Sequence, residues 1–282
     1  MTNSVFVPGH ITGFFTIENH EIKLKNGSCG VGFLLTKGVK TTVSPSDNLI
    51  IDVNQGGSTV IDEVLSILEL KNTDFKITQD IQLPIGAGFG TSAASALSLT
   101  MALNEFLNLG YSDELCGQIA HMAEVNLGAG LGDVIAQTGH GLVLRTKPGA
   151  PGIGEIKSFD EDVFIGWKTF GKIETSDIIS DSHYTEVISN SGDRYLELFE
   201  DDPTLENFLD FSSKFSHEIN LMSDEVKNLI DYFKSSSDIL GSSMAMLGNT
   251  VFAFAYDEDA FKKLNIENLH IDKLNNTGIV HD

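Results

Sequence analysis

Residues 84–95, Pro-Ile-Gly-Ala-Gly-Phe-Gly-Thr-Ser-Ala-Ala-Ser, form the glycine-rich stretch on which the interpretation of the whole chain depends. The alternating residues 75–83 before it predict a half-buried strand, and the apolar residues 93–109 after it predict a helix. Between them, Gly86, Gly88 and Gly90 allow the backbone to turn tightly and to approach a ligand closely. The start of the following helix presents unpaired N–H groups, which attract anions. The stretch therefore predicts a loop that binds phosphate.

Three known kinds of glycine loop can be compared with this stretch. A Walker loop requires a lysine after its last glycine, and no lysine lies between Lys76 and Lys147. A dinucleotide-binding fingerprint requires a third glycine where Thr91 stands, and Pro84 is awkward in a central strand. The third pattern, Pro-x-x-x-Gly-x-Gly-x-Ser-Ala, is matched in full by Pro84, Gly88, Gly90, Ser92 and Ala93. A glycine-rich turn that binds no ligand is the alternative.

This third pattern resembles the phosphate loop of the GHMP superfamily, which includes galactokinase, homoserine kinase, mevalonate kinase and phosphomevalonate kinase. The resemblance implies an ATP-dependent kinase that uses Mg²⁺ and phosphorylates a small alcohol. It assigns ATP binding to the loop and to the start of its helix. The residues concerned are Pro84, Gly86, Ala87, Gly88, Gly90, Thr91, Ser92 and Ala93.

A second informative stretch, residues 124–133, is Glu-Val-Asn-Leu-Gly-Ala-Gly-Leu-Gly-Asp. Its glycines bring a carboxylate at the end of one helix near another at the start of the next element. Phosphoryl transfer uses one carboxylate on Mg²⁺ and a second beside the attacking hydroxyl. The resemblance implies that Ser92 and Glu124 hold Mg²⁺ and that Asp133 orients or deprotonates the hydroxyl. The alternative is two solvated acids that flank a flexible loop.

The N-terminal residues 4–7 predict a short strand, followed by a turn at Pro8-Gly9. In the superfamily such a Pro-Gly pair opens the first motif, which lines the substrate pocket. This chain departs from the usual motif, with His10 after the pair and Gly-Phe-Phe at residues 13–15. Together with residues 86–92, 124–133 and 144–152, this motif resembles the archaeal pantoate kinases. The resemblance implies pantoate as substrate, and the candidates for binding it are His10, Thr12 and Arg145.

Composition sets limits on the partners of the protein. The chain has 282 residues, 41% of them hydrophobic and 21% charged, which is typical of a soluble globular protein. Its formal charge of −22 argues against nucleic-acid and acidic membrane partners. A phosphate site must therefore gain positive potential from a helix end, a metal ion and a few cations. The arginines are only two, Arg145 and Arg194.

Cysteine usage and hydropathy predict a cytoplasmic protein. Cys29 and Cys116 are too few for a disulfide framework, which favours reduced, buried thiols. The N-terminal residues lack the basic and apolar regions of a signal peptide. No apolar run reaches the roughly 18–20 residues needed to cross a bilayer. Members of the superfamily often form dimers, so a homodimer is the oligomer to test for.

The fold implied by the resemblance is α+β in two domains, with ATP and substrate in the cleft between them. Residues 1–157 are expected to form a domain like the second domain of ribosomal protein S5, and residues 158–282 a ferredoxin-like domain. Residues 30–53 predict two or three antiparallel strands, and residues 172–177 predict the opening of a helix. The superfamily's third motif is expected at residues 241–248, where its Ser-Gly-x-Gly pattern is degraded, before a strand at 250–255.

Two rival functions remain open from the sequence. The chain could be another kinase of the superfamily, acting on homoserine, shikimate or a mevalonate-type alcohol. The degraded third motif also suits a relative that binds nucleotide without catalysis. Turnover with a panel of alcohols distinguishes these functions from the one that the motifs favour.

Overall fold

The computed structural model describes residues 3–172 and 182–282. The strands are β1 Asn3–Phe15, β2 Gly30–Ser44, β3 Ile50–Val53, β4 Lys76–Ile81, β5 Leu142–Lys147, β6 Glu155–Phe159, β7 Phe164–Thr169, β8 Gly241–Met244, β9 Thr250–Ala255, β10 His270–Lys273 and β11 Val280–His281. The α-helices are α1 Thr59–Ile67, α2 Thr91–Leu107, α3 Asp113–Leu127, α4 Asp133–Ala136, α5 Ser182–Asp201, α6 Leu205–Ile219, α7 Asp224–Lys234 and α8 Glu258–Lys262. Most of the helix predicted to open at 172–177 lies outside the described residues.

The first sheet has the order β11-β1-β2-β4-β3, and β5 and β6 extend it from β2. The expectation that residues 30–53 form an antiparallel set is wrong for β3, which pairs with β4 in parallel. The physical reason is that α1 connects β3 to β4, and such a crossover returns the chain in the same direction. On one face of the sheet, α2 and α3 bury an alanine- and leucine-rich core.

The turn predicted at Pro8-Gly9 is wrong, because β1 continues through both residues to Phe15. The pairing of β1 with β2 shifts register between Pro8 and His10, which marks an irregularity of the β-bulge kind. A bulge tolerates a proline, which has no N–H to give to a ladder. Just past it, the His10 N–H donates to the Phe89 carbonyl at 3.0 Å. The bulge thus joins the first strand to the glycine loop.

The second sheet has the order β10-β7-β9-β8, with every neighbouring pair antiparallel. Its first strand therefore lies between its last and its third, which is the ferredoxin-like arrangement. Helices α5, α6 and α7 connect β7 to β8, and α8 connects β9 to β10. These two sheets with their helices confirm the predicted α+β class.

Aromatic side chains join the two halves of the molecule, one built on the first sheet and the other on the second sheet. Phe33 of β2 lies edge-to-face on Phe254 and Phe252 of β9, with ring centroids 4.8 and 5.1 Å apart. Phe14 of β1 contacts Phe208 of α6, and all of these rings belong to one buried cluster. The proposed boundary between residues 157 and 158 falls inside β6, and β11 returns to the first sheet. Among the described residues, no helix is both long and apolar enough to span a membrane.

Candidate active site

A cavity of about 240 Å³ lies where the glycine loop, the 129–133 loop and the two halves meet. The glycine loop and the start of α2 form one wall, and α3 and the 129–133 loop form another. The lining residues are Thr12, Phe15, Ser28, Ile85, Gly86, Gly88, Phe89, Gly90, Thr91, Ser92, Glu124, Ala129, Gly130, Leu131, Gly132, Asp133, Arg145, Met246 and Leu247. Three stretches singled out in the sequence, which are far apart along the chain, therefore share one cavity.

Two glycines of the loop occupy positions that exclude a side chain. Gly90, the N-cap of α2, has φ +58°, and a Cβ there would lie 3.0 Å from Gln137 Nε2 and 3.2 Å from Asp133 Oδ1. Gly88 has φ +85°, and its Cβ would lie 3.1 Å from the Met246 carbonyl oxygen. L-residues rarely adopt these φ values. The loop is therefore pressed against both halves of the protein.

Five of the eight residues predicted to bind ATP line the cavity, namely Gly86, Gly88, Gly90, Thr91 and Ser92. Pro84, Ala87 and Ala93 are not among the lining residues. Ala87 and Ala93 are buried beneath the loop, and the Ala87 carbonyl accepts a hydrogen bond from Thr250 Oγ1 at 2.8 Å. The structure gives these alanines a packing role.

Ser92 and Glu124 meet across the helices α2 and α3. Ser92 Oγ donates to Glu124 Oε1 at 2.5 Å, and the Gly130 N–H donates to Oε2 at 3.3 Å. The Glu124 side chain is almost fully buried. Burial raises the pKa of Glu124 to about 7, and the charge of nearby Asp133 acts in the same direction. The carboxylate therefore sits where its negative charge costs free energy until a cation compensates it.

Asp133, His10 and Arg145 form a hydrogen-bonded network of polar side chains. His10 Nδ1 lies 2.7 Å from Asp133 Oδ1, and His10 Nε2 lies 3.4 Å from Arg145 Nη1. A guanidinium can only donate, so Nε2 is the acceptor and Nδ1 carries the proton. His10 is therefore a neutral imidazole that donates to Asp133, and its ring orientation is fixed from both ends.

The surroundings of His10 and Asp133 determine which of these two side chains is charged. Burial lowers the pKa of His10, which keeps the ring neutral. Burial alone would raise the pKa of Asp133, but the hydrogen bond from His10 and the positive charge of Arg145 hold it below its usual range. The Asp133 side chain is 27% exposed, so the ionised carboxylate also reaches the cavity. It is therefore an anion that can accept a proton or a hydrogen bond.

Arg145 is held in the wall of the cavity beside Ser28 and Thr12. Its Nε donates to the Ser28 carbonyl at 3.2 Å, and its Nη1 lies 3.5 Å from Thr12 Oγ1. Within the described residues, Nη2 has no hydrogen-bond acceptor. The residue is 1% exposed yet lines the cavity. A carboxylate entering the cavity would meet a pre-oriented guanidinium here.

The degraded third motif closes the cavity from the C-terminal half. Residues 241–244 form β8 rather than part of a loop, and the turn that follows presents Met246 and Leu247 to the cavity. The Met246 N–H donates to the Thr12 carbonyl at 3.0 Å. Leu247 has φ +59°, a conformation that glycine adopts without strain and leucine rarely does. The turn after β8 thus has a backbone conformation typical of glycine, although Leu247 stands there with an apolar side chain.

Sequence reasoning missed Ser28 and Gln137. Ser28 lies just before β2, and only the register of β1, β2 and β5 brings it beside Arg145. Gln137 Nε2 donates to the Gly90 carbonyl at 2.9 Å and so ties α4 to the glycine loop. Its spacing of four residues from Asp133 was a usable indication, because such residues lie on one side of a helical turn.

The cavity offers oxygen donors of the kind that bind Mg²⁺. Across residues 3–172 and 182–282, no group of three or more His, Cys, Asp or Glu is placed to hold a metal. Ser92, Glu124 and Asp133 nevertheless offer only oxygen donors, and the two carboxylates approach each other around Gly130. Mg²⁺ is commonly bound by one or two carboxylates together with the phosphates of a substrate. The residues therefore fit Mg²⁺ held jointly with a nucleotide.

Comparisons with known proteins agree with this geometry. The family model of the GHMP kinases N terminal domain matches residues 58–141. A pantoate kinase of Methanocaldococcus jannaschii is 36% identical over 265 residues, which cover 93% of this chain and 96% of that protein. A pantoate kinase of Thermococcus kodakarensis is 34% identical over 91% of this chain and 89% of its own.

A solved structure described as a phosphotransferase related to the CoA biosynthesis pathway is 30% identical, with a TM-score of 0.87. The match covers 100% of this chain and 99% of that one. The likeness therefore extends through both sheets and is not confined to the glycine loop. The chain belongs to the pantoate kinase family of the GHMP kinases.

Proposed function

We propose that the protein transfers the γ-phosphoryl group of ATP to the primary hydroxyl of pantoate, giving 4-phosphopantoate for coenzyme A synthesis. The single observation that carries this proposal is the position of Asp133. Its carboxylate is kept ionised and oriented by His10, and it faces a cavity shared with the glycine loop. The family relationship and the polar side chains around Arg145 support pantoate as the acceptor.

Pantoate has a carboxylate at one end, a primary hydroxyl at the other and two methyl groups between them. The carboxylate suits Arg145, whose Nη2 has no acceptor among the described residues, with Thr12 and Ser28 beside it. Apolar lining from Leu131 and Met246 suits the methyl groups. Bound in this direction, the substrate presents its primary hydroxyl to Asp133.

The other end of the cavity suits the phosphates of ATP. Backbone N–H groups at the start of α2 and the positive end of its dipole favour anions. Ser92 and Glu124 would hold Mg²⁺ together with those phosphates, and Asp133 is close enough to contribute electrostatically. When bound, the ion neutralises charge that develops on the phosphates during transfer.

The residues of the chain would then act as follows. Asp133 accepts a hydrogen bond from the hydroxyl and takes its proton as the bond from that oxygen to γ-phosphorus forms. The bond between γ-phosphorus and the bridging oxygen breaks, and the electron pair leaves with ADP. His10 keeps Oδ1 of Asp133 engaged, so the second carboxylate oxygen is the one directed at the substrate. Because the transition state is loose, positioning contributes more than basicity.

The experiment is an ADP-release assay with Mg²⁺ and ATP against pantoate, homoserine, shikimate and mevalonate. Turnover that is highest with pantoate by kcat/KM supports the proposal. A higher kcat/KM with another alcohol would make the protein a different kinase of the superfamily. Turnover with none of them, in protein that still binds ATP, would indicate the nucleotide-binding relative instead. Asp133→Asn serves as the control for contaminating ATPase activity.

A further inference from the structure

We infer that Lys172 is a phosphate-binding residue of the nucleotide site, contributed by the C-terminal half of the chain. This inference rests on the proposed function, because it concerns the same nucleotide. It starts from Gly86, where a Cβ would lie 3.1 Å from Cδ, 3.3 Å from Cγ and 3.6 Å from Cε of Lys172. The aliphatic stem of the lysine therefore passes directly over a glycine that lines the cavity.

The backbone that carries Lys172 is fixed beside the loop. After β7 ends at Thr169, the Phe170 N–H donates to the Asn249 carbonyl at 2.7 Å. The preceding residue, Gly248, packs so closely on Ala87 and Gly88 that a Cβ would not fit. The lysine therefore reaches Gly86 because the turn before β9 is itself packed on the glycine loop. Its ammonium is one bond beyond Cε and so within reach of the end of the cavity that Gly86 lines.

The electrostatics of the cavity call for such a cation. Among the described residues that line it, Arg145 is the only basic one, and it is engaged with His10, Thr12 and Ser28. Glu124 and Asp133 add negative charge, and the whole chain carries −22. Even with Mg²⁺ bound, ATP keeps a net negative charge, so a second positive group near this wall would favour its binding.

Lys172 also differs from the lysines whose charge is already paired with a carboxylate. Seven lysines form ion pairs with carboxylates, namely Lys40, Lys76, Lys147, Lys214, Lys262, Lys263 and Lys273. Lys172 has no such pair with any residue in the described ranges. Its charge thus remains available to a ligand, although acidic side chains outnumber basic ones by 40 to 18.

The test measures binding of Mg-ATP, Mg-ADP and adenosine by calorimetry. The variant Lys172→Met keeps the long stem over Gly86 and removes only the charge. We expect its affinity for Mg-ATP to fall by about tenfold, as for the loss of a charge-assisted contact that is partly exposed. Affinity for adenosine, which has no phosphate, should be unchanged. Lys172→Arg should stay within a few-fold of the wild type.

Lys168→Met is the matched control, because Lys168 lies on β7 and its ammonium donates to the Glu267 carbonyl at 2.8 Å. It should bind Mg-ATP as the wild type does. The inference is overturned if Lys172→Met binds Mg-ATP as well as Lys168→Met, or if it loses adenosine affinity equally. If the wild type itself fails to bind Mg-ATP, the proposed function fails together with this inference.

Discussion

Replacing Glu124 by Gln should stabilise the ligand-free protein above neutral pH while abolishing its kinase activity. Burial raises the pKa of Glu124 from 4.5 to about 7. Converted at roughly 1.4 kcal/mol per pKa unit, that difference corresponds to about 3 kcal/mol. The folded state binds more protons than the unfolded state between these two pKa values. Stability therefore falls as pH rises through this window, and the loss is complete above about pH 7.

Glutamine is neutral at every pH, and its amide oxygen can still accept from Ser92 Oγ. It would lose the hydrogen bond from the Gly130 N–H, which offsets part of the gain. At pH 8 we expect the variant to exceed the wild type by about 2–3 kcal/mol in free energy of unfolding. For a chain of this size that is several degrees in Tm. Near pH 4.5 the two proteins should be equally stable, apart from the cost of the lost hydrogen bond.

The assay is urea unfolding at pH 5 and pH 8 without Mg²⁺ or nucleotide. Glu114→Gln, at an exposed position of the same helix α3, is the control and should shift stability by less than about 1 kcal/mol at either pH. If the stability difference between Glu124→Gln and the wild type is equal at both pH values, burial of the Glu124 charge is not its cause and the prediction is wrong. The gain in stability with loss of activity is the trade-off expected at a functional site.

Three further substitutions test other parts of the site. Gly88→Val should abolish nucleotide binding, because a side chain there meets the Met246 carbonyl at a φ of +85°; unchanged ATP affinity by calorimetry would reduce the loop to a structural turn. Ser92→Ala should lower kcat sharply while costing only about 1 kcal/mol of stability for the lost hydrogen bond to Glu124, and wild-type turnover would remove Ser92 from the site. Asp133→Asn should lower kcat by about 100-fold or more and leave KM for ATP nearly unchanged. Weakened ATP binding in that variant would place Asp133 on the metal instead.

The parts of the fold that follow from local pattern could be predicted from the sequence. The strand, glycine loop and helix around residues 76–107 follow from alternation, glycine spacing and an apolar run. The approach of Glu124 to Asp133 follows from the short glycine-rich connection between them. These features depend on contacts between residues near one another in the chain, which composition and spacing constrain directly.

The contacts that orient the catalytic side chains could not be predicted from the sequence, because they depend on strand register. His10 reaches Asp133 across 123 positions of sequence, and it does so because β1 continues past Pro8 with a shift of register. A Pro-Gly pair ordinarily indicates a turn, so the local pattern favoured the wrong structure. Lys172 reaches Gly86 only because two halves of the chain pack together. Tertiary packing determines such contacts, and the periodic pattern of the sequence does not indicate them.

Transfer of phosphate to the primary hydroxyl of pantoate is tested most directly by identifying the product formed from pantoate and Mg-ATP by phosphorus NMR and mass spectrometry. We expect one phosphate ester on the primary hydroxyl, formed in a 1:1 ratio with ADP. ADP released with inorganic phosphate, or a phosphate ester on the secondary hydroxyl beside the carboxylate, would contradict it. Either result would mean that Arg145 and Asp133 do not hold opposite ends of the substrate.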